Sequence, residues 1–380
     1  MKNKITWPRG LNMHGFLQNY WQKKPLLIRQ AFPSFNGLMD RQQLISLACT
    51  EDIQARLVTR QRGRFDLRQA PFAAADFRRL GKDGGRQAKW TLLVQGVNHY
   101  LPEAASLLKS FSFIPHARLD DLMVSCASKG GGGGPHFDSY DVFLLQGTGQ
   151  RRWQISAQAD RSLKAGAPLR ILRNFQAEEE WILQAGDMLY LPPRYAHNGI
   201  AEDGDCMTYS IGFRAPAFQE LAEQFLVYLQ DRITVDGMYA DPGLKVQKHA
   251  SELSTAMLRQ VERALKQIRW HKEDIANFLG CYLSEPKPHI FFDAPERPLN
   301  PAKFSRAIQK SGIRLALKSQ MLCHAGWIFM NGEAQPVNEH SYPLLRILAD
   351  DRASPALKDC PAELTELLYQ WYRDGYISPL

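Results

Sequence analysis

Two residues with metal-ligating side chains, His136 and Asp138, are separated by one apolar residue near the middle of the chain. On a β-strand alternate side chains share a face, so His136 and Asp138 would project together while Phe137 packs on the opposite face. A half-buried strand with two polar residues facing water would have the same pattern. The pair alone therefore does not separate a metal site from a solvated strand, and the flanking sequence has to decide.

The segment before the pair is a run of glycines, Gly130 to Gly134, which allows a sharp turn or a close approach of the backbone to another group. A phosphate-binding loop would need a following Lys-Ser or Lys-Thr pair, which is missing. After the pair, residues 140–146 have an apolar strand pattern, residues 147–149 are turn residues, and residues 151–155 have a second strand pattern. This order predicts a β-hairpin whose returning strand carries Arg151.

A third ligand is available in residues 181–197, where a Gly-Asp turn is followed by an apolar strand, two prolines and His197. Two ligands from one strand and one histidine from a later strand form the 2-His-1-carboxylate facial triad. That triad leaves adjacent positions open on a non-haem Fe(II), as oxygen chemistry requires. The same ligands also bind Mn, Co or Ni, so the ligand set alone does not identify the metal.

The glycine run, the His-x-Asp pair, the basic residue at 151 and the pattern GDxLYLPPxxxH together resemble the JmjC (cupin-like) 2-oxoglutarate oxygenases. More narrowly, the chain resembles the bacterial ribosomal oxygenases that hydroxylate an arginine of ribosomal protein L16. The stretches that carry this resemblance are residues 16–29, 135–143 and 209–216, and the resemblance extends over the whole chain.

The resemblance implies an α+β fold, in which a double-stranded β-helix (JmjC/cupin jelly roll) precedes a helical dimerisation segment and a winged-helix-like domain. It also implies an Fe(II)- and 2-oxoglutarate-dependent dioxygenase, a protein arginine 3-hydroxylase. Such an enzyme uses O2 to add a hydroxyl to C3, the β-carbon, of an arginine in L16. His136, Asp138 and His197 would be the catalytic metal ligands.

Arg151 occupies the position at which JmjC relatives bind the distal carboxylate of 2-oxoglutarate with a basic residue. Arg152 should then face away from it, because neighbouring strand residues alternate. Ser125 and Ser210 are lesser candidates for the same carboxylate, since their hydroxyls could donate from neighbouring strands.

The strand pattern at residues 120–127 places Asp121, Met123 and Ser125 on one face, which could line the same cavity as the metal ligands. A buried carboxylate needs a cationic partner. If the substrate is an arginine, Asp121 is a candidate to bind its guanidinium, with Tyr140 flanking the side chain. A strand-end carboxylate that caps local backbone is an equally good interpretation.

The chain of 380 residues, with 44% hydrophobic and 23% charged residues, is typical of a soluble protein with two or three domains. Its six cysteines lack CxxC or paired spacing, which disfavours a zinc site or a disulfide framework. No apolar run is long enough to span a bilayer and the polar start leads into no signal-peptide core. We therefore expect a cytoplasmic protein without a membrane segment.

The net charge of +8 comes from residues 1–215, and residues 56–89 (the Arg56–Lys89 stretch) are rich in arginine. Such a stretch is either a solvated rim or a surface for an anionic partner such as ribosomal RNA.

We expect three domains: a catalytic domain at residues 1–215, a helical dimerisation domain at 216–284 and a winged-helix-like domain at 285–380. Apolar residues recur at helical spacing through the second, which predicts packing on the barrel and on a second copy in a homodimer. The third sums to zero charge, which favours a protein-packing role over DNA binding. The alternatives are an oxygenase for another protein or a small molecule, such as a histone-type demethylase, and a non-catalytic cupin-like scaffold that binds RNA or protein.

Overall fold

The computed structural model describes residues 4–78, 80 and 89–380. The chain divides into two compact units. The first comprises residues 1–215, 286–320 and 343–380, and the second comprises residues 216–285 and 321–342, so residues 285–380 contribute to both. No helix in the described part of the chain is both long enough and apolar enough to cross a bilayer.

Antiparallel strands dominate the amino-terminal part of the first unit. Over the described residues they are β1 (Leu26–Ile28), β2 (Ala55–Gln61), β3 (Arg64–Gln69), β4 (Lys89–Val94), β5 (Leu119–Ala127), β6 (His136–Phe137), β7 (Asp141–Gln146), β8 (Arg151–Ser156), β9 (Glu179–Leu183), β10 (Met188–Leu191), β11 (Ala196–Ala201) and β12 (Cys206–Phe213). One sheet has the order β1-β10-β7-β12-β5-β4-β2-β3 and a second has the order β6-β11-β8-β9. Strands of both sheets line one cavity, as expected for a double-stranded β-helix.

Short helices accompany these sheets: α1 (Met13–Asn19), α2 (Arg41–Ala48), α3 (Ala74–Phe77) and α4 (Pro102–Leu108), with 3-10 turns at Val97–His99, Lys109–Phe111 and His116–Arg118. The side chain of Asn12 caps the start of α1 by accepting a hydrogen bond from the Gly15 amide. Phe16 of α1 is fully buried, with its ring centroid 4.9 Å from that of Tyr190 and 5.4 Å from that of Phe143. The helix thereby packs on β7 and β10, which belong to the larger sheet.

The predicted hairpin between residues 140 and 155 is wrong. Strand β7 pairs with β10 and β12, whereas β8 pairs with β9 and β11 in the other sheet. The connection passes from one sheet to the other at Gly147, where an added Cβ would lie 2.6 Å from the Tyr209 ring. Arg151 therefore approaches the cavity from the sheet that faces β7.

The start of β7, just after the His-x-Asp pair, is held by the buried carboxylate of Asp141. Its two oxygens accept hydrogen bonds from the Tyr190 hydroxyl at 2.7 Å and from the Gln22 side-chain amide at 2.9 Å. Arg118 adds an ion pair at 3.1 Å. Because these partners come from distant segments, the network fixes the chain that follows the metal ligands.

The rest of the chain contains, in order, α5 (Phe218–Gln230), α6 (Thr255–Leu265), α7 (Lys272–Ser284), α8 (Pro301–Ser311), β13 (Ile313–Leu315), β14 (Met321–His324), β15 (Trp327–Met330), β16 (Glu333–Pro336), α9 (Ser341–Asp351), β17 (Ala353–Ser354), α10 (Ala362–Arg373) and β18 (Ile377–Pro379). In the second unit, α7 packs on the small sheet β14-β15-β16. In the first unit, a small sheet has the order β17-β13-β18, and α8 and α10 pack beside it.

Candidate active site

The three predicted metal ligands converge. Strand β6 pairs with β11 so that His136 lies directly opposite His197, and Asp138 follows β6. One ligand atom from each of the three residues lies within 4.8 Å of the others, and His197 Nε2 is 3.6 Å from an Asp138 oxygen. Residues that are far apart in the sequence thus provide two imidazoles and one carboxylate at a single point.

Hydrogen bonds orient both imidazoles. His136 Nδ1 lies 2.8 Å from the Gly134 carbonyl oxygen, and His197 Nδ1 lies 3.0 Å from the Tyr195 carbonyl oxygen. A ring nitrogen beside a carbonyl oxygen has to donate, so each Nδ1 carries the hydrogen and each Nε2 lone pair is available. Burial, and then the neighbouring His136, lower the pKa of His197 to about 4, which keeps this imidazole neutral as a ligand must be. This donor set fits Fe(II).

The glycine run is required by close backbone contacts. A Cβ on Gly131 would lie 2.2 Å from the Trp90 carbonyl oxygen, and one on Gly132 would lie 2.2 Å from the Gly199 carbonyl oxygen. The loop also pairs with β11, since Ala201 accepts a hydrogen bond from the Gly130 amide at 2.7 Å. The glycines therefore let the loop pass between the two sheets and deliver His136 to its site.

The triad lies in a cavity of about 560 Å³ between the sheets. Met123 and Ser125 of β5 line it together with His136 and Asp138, whereas Asp121, which was predicted to share their face, is not among the lining residues. Ser210, Tyr140 and Arg151 line it as well.

Arg151 is a buried cation without a carboxylate partner among the described residues. It is 4% exposed, one of its terminal nitrogens donates to the Cys206 carbonyl oxygen at 3.4 Å, and its Nε has no hydrogen-bond partner. Arg152, in contrast, pairs with Glu180 and Glu202 at 2.5 and 2.6 Å, outside the cavity, as predicted. A buried, unpaired guanidinium is costly, and a carboxylate ligand would offset that cost.

Two cavity threonines were missed by the sequence analysis. The hydroxyl of Thr208 donates to the Gln146 side chain at 2.9 Å, but that of Thr91 is buried and has no partner. Thr91 pairs with Ala127, which in turn pairs with Cys206, the residue whose carbonyl Arg151 contacts. Thr91 therefore lies on the same row of the larger sheet as Cys206, which the Arg151 guanidinium contacts from the smaller sheet. No signal in the sequence indicates that the Thr91 hydroxyl lies near Arg151, because a single threonine in an apolar strand is common. The order of the strands in the sheet decides which residues are its neighbours.

The two serines differ from Thr91. Ser125 Oγ donates weakly to the Thr208 carbonyl oxygen at 3.4 Å, and Ser210 is 8% exposed on the neighbouring strand. Both hydroxyls lie on the cavity wall, as the strand pattern predicted.

Asp121 is buried but does not line the cavity as Met123 and Ser125 do. Its Oδ2 accepts a hydrogen bond from the Gly96 amide at 3.0 Å, so the backbone cap that was one of the two interpretations is present. A Cβ added to Gly212 would lie 3.9 Å from Asp121 Oδ1 and 3.9 Å from the Tyr140 ring. Burial raises the pKa of Asp121, and burial followed by Asp138 raises the pKa of Tyr140.

The Arg56–Lys89 stretch does not form one uniform surface. Arg56 lines the cavity and its Nε is buried without a partner, whereas Arg68 pairs with Asp76 at 2.7 Å. Arg62 and Arg64 are exposed at the turn between β2 and β3. Residues 79 and 81–88 of the stretch lie outside the described residues.

Comparisons with known proteins agree with this geometry. The chain matches the JmjC domain over residues 106–221 and the ROXA-like winged helix over residues 267–378. It is 31% identical over 348 residues to the ribosomal protein uL16 3-hydroxylase of Escherichia coli (strain K12), covering 91% of each chain. It is 41% identical over 220 residues to a probable ribosomal oxygenase of Haemophilus influenzae, covering 57% of this chain and 53% of the relative.

Solved structures extend the similarity over the full length. The structure of Escherichia coli YcfD has a TM-score of 0.85 at 29% identity, and covers 99% of both chains. The ribosomal oxygenase YcfD in complex with cobalt and 2-oxoglutarate has a TM-score of 0.82 at 30% identity, with the same coverage. The identity to the uL16 3-hydroxylase over nearly all of both sequences shows that this chain belongs to the JmjC family of bacterial ribosomal oxygenases.

Proposed function

We propose that this protein is an Fe(II)- and 2-oxoglutarate-dependent oxygenase that hydroxylates C3 of an arginine in ribosomal protein uL16. The observation that carries the proposal is the presence, in one cavity, of the His136–Asp138–His197 triad and the unpaired, buried Arg151. The substrate is taken from the related Escherichia coli protein, which is named a uL16 3-hydroxylase.

His136, Asp138 and His197 hold the iron, and Arg151 binds the distal carboxylate of 2-oxoglutarate. When bound, the iron couples O2 reduction to conversion of 2-oxoglutarate into succinate and carbon dioxide, with one oxygen atom going to the substrate C–H bond. The chain's own contribution is to fix geometry and exclude water. Thr91 and Ser210 donate hydroxyl hydrogen bonds beside Arg151 and so orient the cosubstrate. The Ser125 hydroxyl joins them by rotating away from its weak hydrogen bond to the Thr208 carbonyl oxygen.

Asp121 and Tyr140 hold the guanidinium of the substrate arginine. No described hydrogen bond engages Asp121 Oδ1, and both Oδ1 and the Tyr140 ring lie 3.9 Å from the position of a Cβ added to Gly212. Tyr140 itself lines the cavity that contains the triad, and the Asp121 charge contributes to the raised pKa of Tyr140. When the guanidinium of the substrate arginine is held by Asp121 and Tyr140, the β-carbon of that arginine lies toward the iron.

The test is to incubate the protein with Fe(II), 2-oxoglutarate and ascorbate in air, together with a uL16 fragment that contains the arginine, and to follow the fragment's mass. A gain of one oxygen that is lost in His136→Ala supports the proposal. Consumption of 2-oxoglutarate without a mass change would keep the oxygenase activity and rule out the uL16 fragment as its substrate. Loss of a methyl group would indicate a demethylase. If 2-oxoglutarate is not consumed at all, the non-catalytic scaffold that binds RNA or protein would be favoured.

The helical segment at residues 216–284 forms a homodimer interface in this proposal. Its helices expose large apolar side chains, including Leu226 and Val227 of α5 and Leu258, Val261 and Leu265 of α6. An apolar surface of this kind is typical of an interaction site.

The exposed arginines of the Arg56–Lys89 stretch would contact ribosomal RNA, which a steep salt dependence of binding would reveal. The protein would act in the cytoplasm, because newly made uL16 is accessible there.

A further inference from the structure

Asp121 lies next to another carboxylate, Asp120, and the two share a lysine from a distant part of the chain. Lys287 Nζ is 3.0 Å from Asp120 Oδ1 and 3.8 Å from Asp121 Oδ2. Arg214 completes the group, with its Nε 3.3 Å from Asp120 Oδ1. Two carboxylates and two cations thus alternate at the edge of the proposed guanidinium site.

The backbone around Lys287 is restrained. Pro286 and Pro288 flank it, and proline limits the conformations of the residue before it. The Lys287 carbonyl accepts a hydrogen bond from the Ile290 amide at 2.9 Å, and His289 Nδ1 lies 3.0 Å from the Gln54 side-chain amide. The ammonium is therefore supplied from a fixed segment, which begins where the chain returns to the first unit.

The two oxygens of Asp121 have separate environments. Oδ2 accepts the hydrogen bond from the Gly96 amide and lies 3.8 Å from Lys287 Nζ, whereas Oδ1 lies 3.9 Å from the position of a Cβ added to Gly212. Lys287 therefore approaches Asp121 at Oδ2, and its nearer partner is Asp120. Its charge reaches Asp121 without occupying the oxygen that a substrate would take.

We propose that Lys287 is a positioning residue for arginine recognition, which holds the Asp121 carboxylate in its charged form beside Tyr140. The inference rests on the proposed function, in which Asp121 binds the substrate guanidinium. It assigns the segment after Glu285 a part in substrate selection, although no residue of that segment lines the described cavity.

The physical reason is the balance of charges around Asp121. Burial and the like charge of Asp120 raise its pKa, and Lys287 and Arg214 oppose that rise. Tyr140 also faces the carboxylate, and the buried His99 lies near Lys287. Burial, followed by Lys287, lowers the pKa of His99 to about 4, so His99 stays neutral at higher pH and adds no charge to the group. Without Lys287, Asp121 would protonate at a higher pH and lose its attraction for a guanidinium.

The test compares steady-state kinetics with the uL16 fragment in the full-length protein, across the acid limb of the pH profile. We expect Lys287→Met to raise the KM for the fragment roughly three- to tenfold, with a smaller change in kcat. The KM for 2-oxoglutarate should stay at the wild-type value in Lys287→Met. The acid limb of kcat/KM should move to higher pH, and Lys287→Arg should restore both values.

The matched control is Lys318→Met. Lys318 is also a lysine of the carboxy-terminal part of the first unit, but it pairs with Asp293 at 3.1 Å, away from Asp121. Asp120→Asn is a second variant with the opposite expected sign. It removes the like charge beside Asp121 and should move the acid limb to lower pH, which keeps the proposal testable if Lys287→Met does not fold.

Asp121→Asn separates this inference from the proposed function. Loss of fragment hydroxylation in Asp121→Asn, combined with wild-type KM and acid limb in Lys287→Met, would overturn the role of Lys287 and leave the function standing. Undiminished hydroxylation in Asp121→Asn would overturn the guanidinium site and the role of Lys287 together. An equal shift of the acid limb in Lys318→Met would show a general effect of losing a positive charge, and would also overturn the role of Lys287.

Discussion

The imidazole rings of His136 and His197 lie with their centroids 4.3 Å apart, because β6 and β11 pair with these two residues directly opposite each other. Strand β6 is only two residues long, so its position depends on the loop before it and on β11. The metal site is therefore sensitive to small displacements of the glycine run.

Gly132→Ala should destabilise the protein by about 1–3 kcal/mol, because its Cβ would lie 2.2 Å from the Gly199 carbonyl oxygen of β11. Urea unfolding measures this loss, and calorimetric titration with Mn(II) should show weaker binding as β11 moves. Gly133→Ala is the control, since a Cβ there meets nothing within 4 Å. Equal stability of the two variants would contradict the close-packing explanation.

Arg151→Gln should raise the KM for 2-oxoglutarate roughly 10- to 100-fold, because a charge-assisted hydrogen bond to the distal carboxylate is lost. Arg152→Gln is the matched control, since this neighbour pairs with Glu180 and Glu202 outside the cavity. Turnover measured against 2-oxoglutarate concentration separates the two. A similar KM in both variants would remove Arg151 from the cosubstrate site.

Thr91→Val should have opposite effects on stability and on cosubstrate binding. Removing a buried hydroxyl that has no partner should leave the ligand-free protein as stable as before or more stable. The KM for 2-oxoglutarate should rise by up to about tenfold, because the bound carboxylate loses a donor. Thr59→Val, on β2 outside the cavity lining, is the control, and thermal unfolding with kinetics provides both readouts. An unchanged KM would show that Thr91 does not contact the cosubstrate.

His99 should make stability depend on pH. Burial and then Lys287 lower its pKa to about 4, below the value of about 6.5 of an unfolded histidine, so the native state binds fewer protons than the unfolded state between these values. Its contribution is fully present above about pH 6.5 and is lost as the pH falls toward 4. The free energy of unfolding should therefore fall less steeply across this window in His99→Gln. The exposed His340→Gln should behave like the wild type, and identical slopes in all three proteins would contradict the assignment.

The helical segment should mediate dimerisation. Val261→Glu combined with Leu265→Glu places two charges on the apolar face of α6 and should shift the light-scattering mass from two chains to one. Arg263→Glu is the control, because it changes the charge of the same helix and leaves Val261 and Leu265 in place. A wild-type protein with the mass of a single chain would rule out the dimer.

The sequence by itself determined the features that depend on local geometry. Side chains alternate along a strand whatever surrounds it, so the cavity face of β5 and the opposite directions of Arg151 and Arg152 followed from residue order alone. The ligands His136, Asp138 and His197 were identified from their types and flanking patterns, and the structure brings them together.

The tertiary structure decided everything that depends on which strands are neighbours. Residues 140–155 have the local pattern of a hairpin, but pairing energy comes from strands distant in sequence, so β7 and β8 lie in different sheets. The same non-local pairing puts Thr91 on the row of Cys206, whose carbonyl Arg151 contacts. Packing of a segment outside the strands brings Lys287 to Asp121. These contacts join residues with no periodic relation, and only the packed chain brings them together.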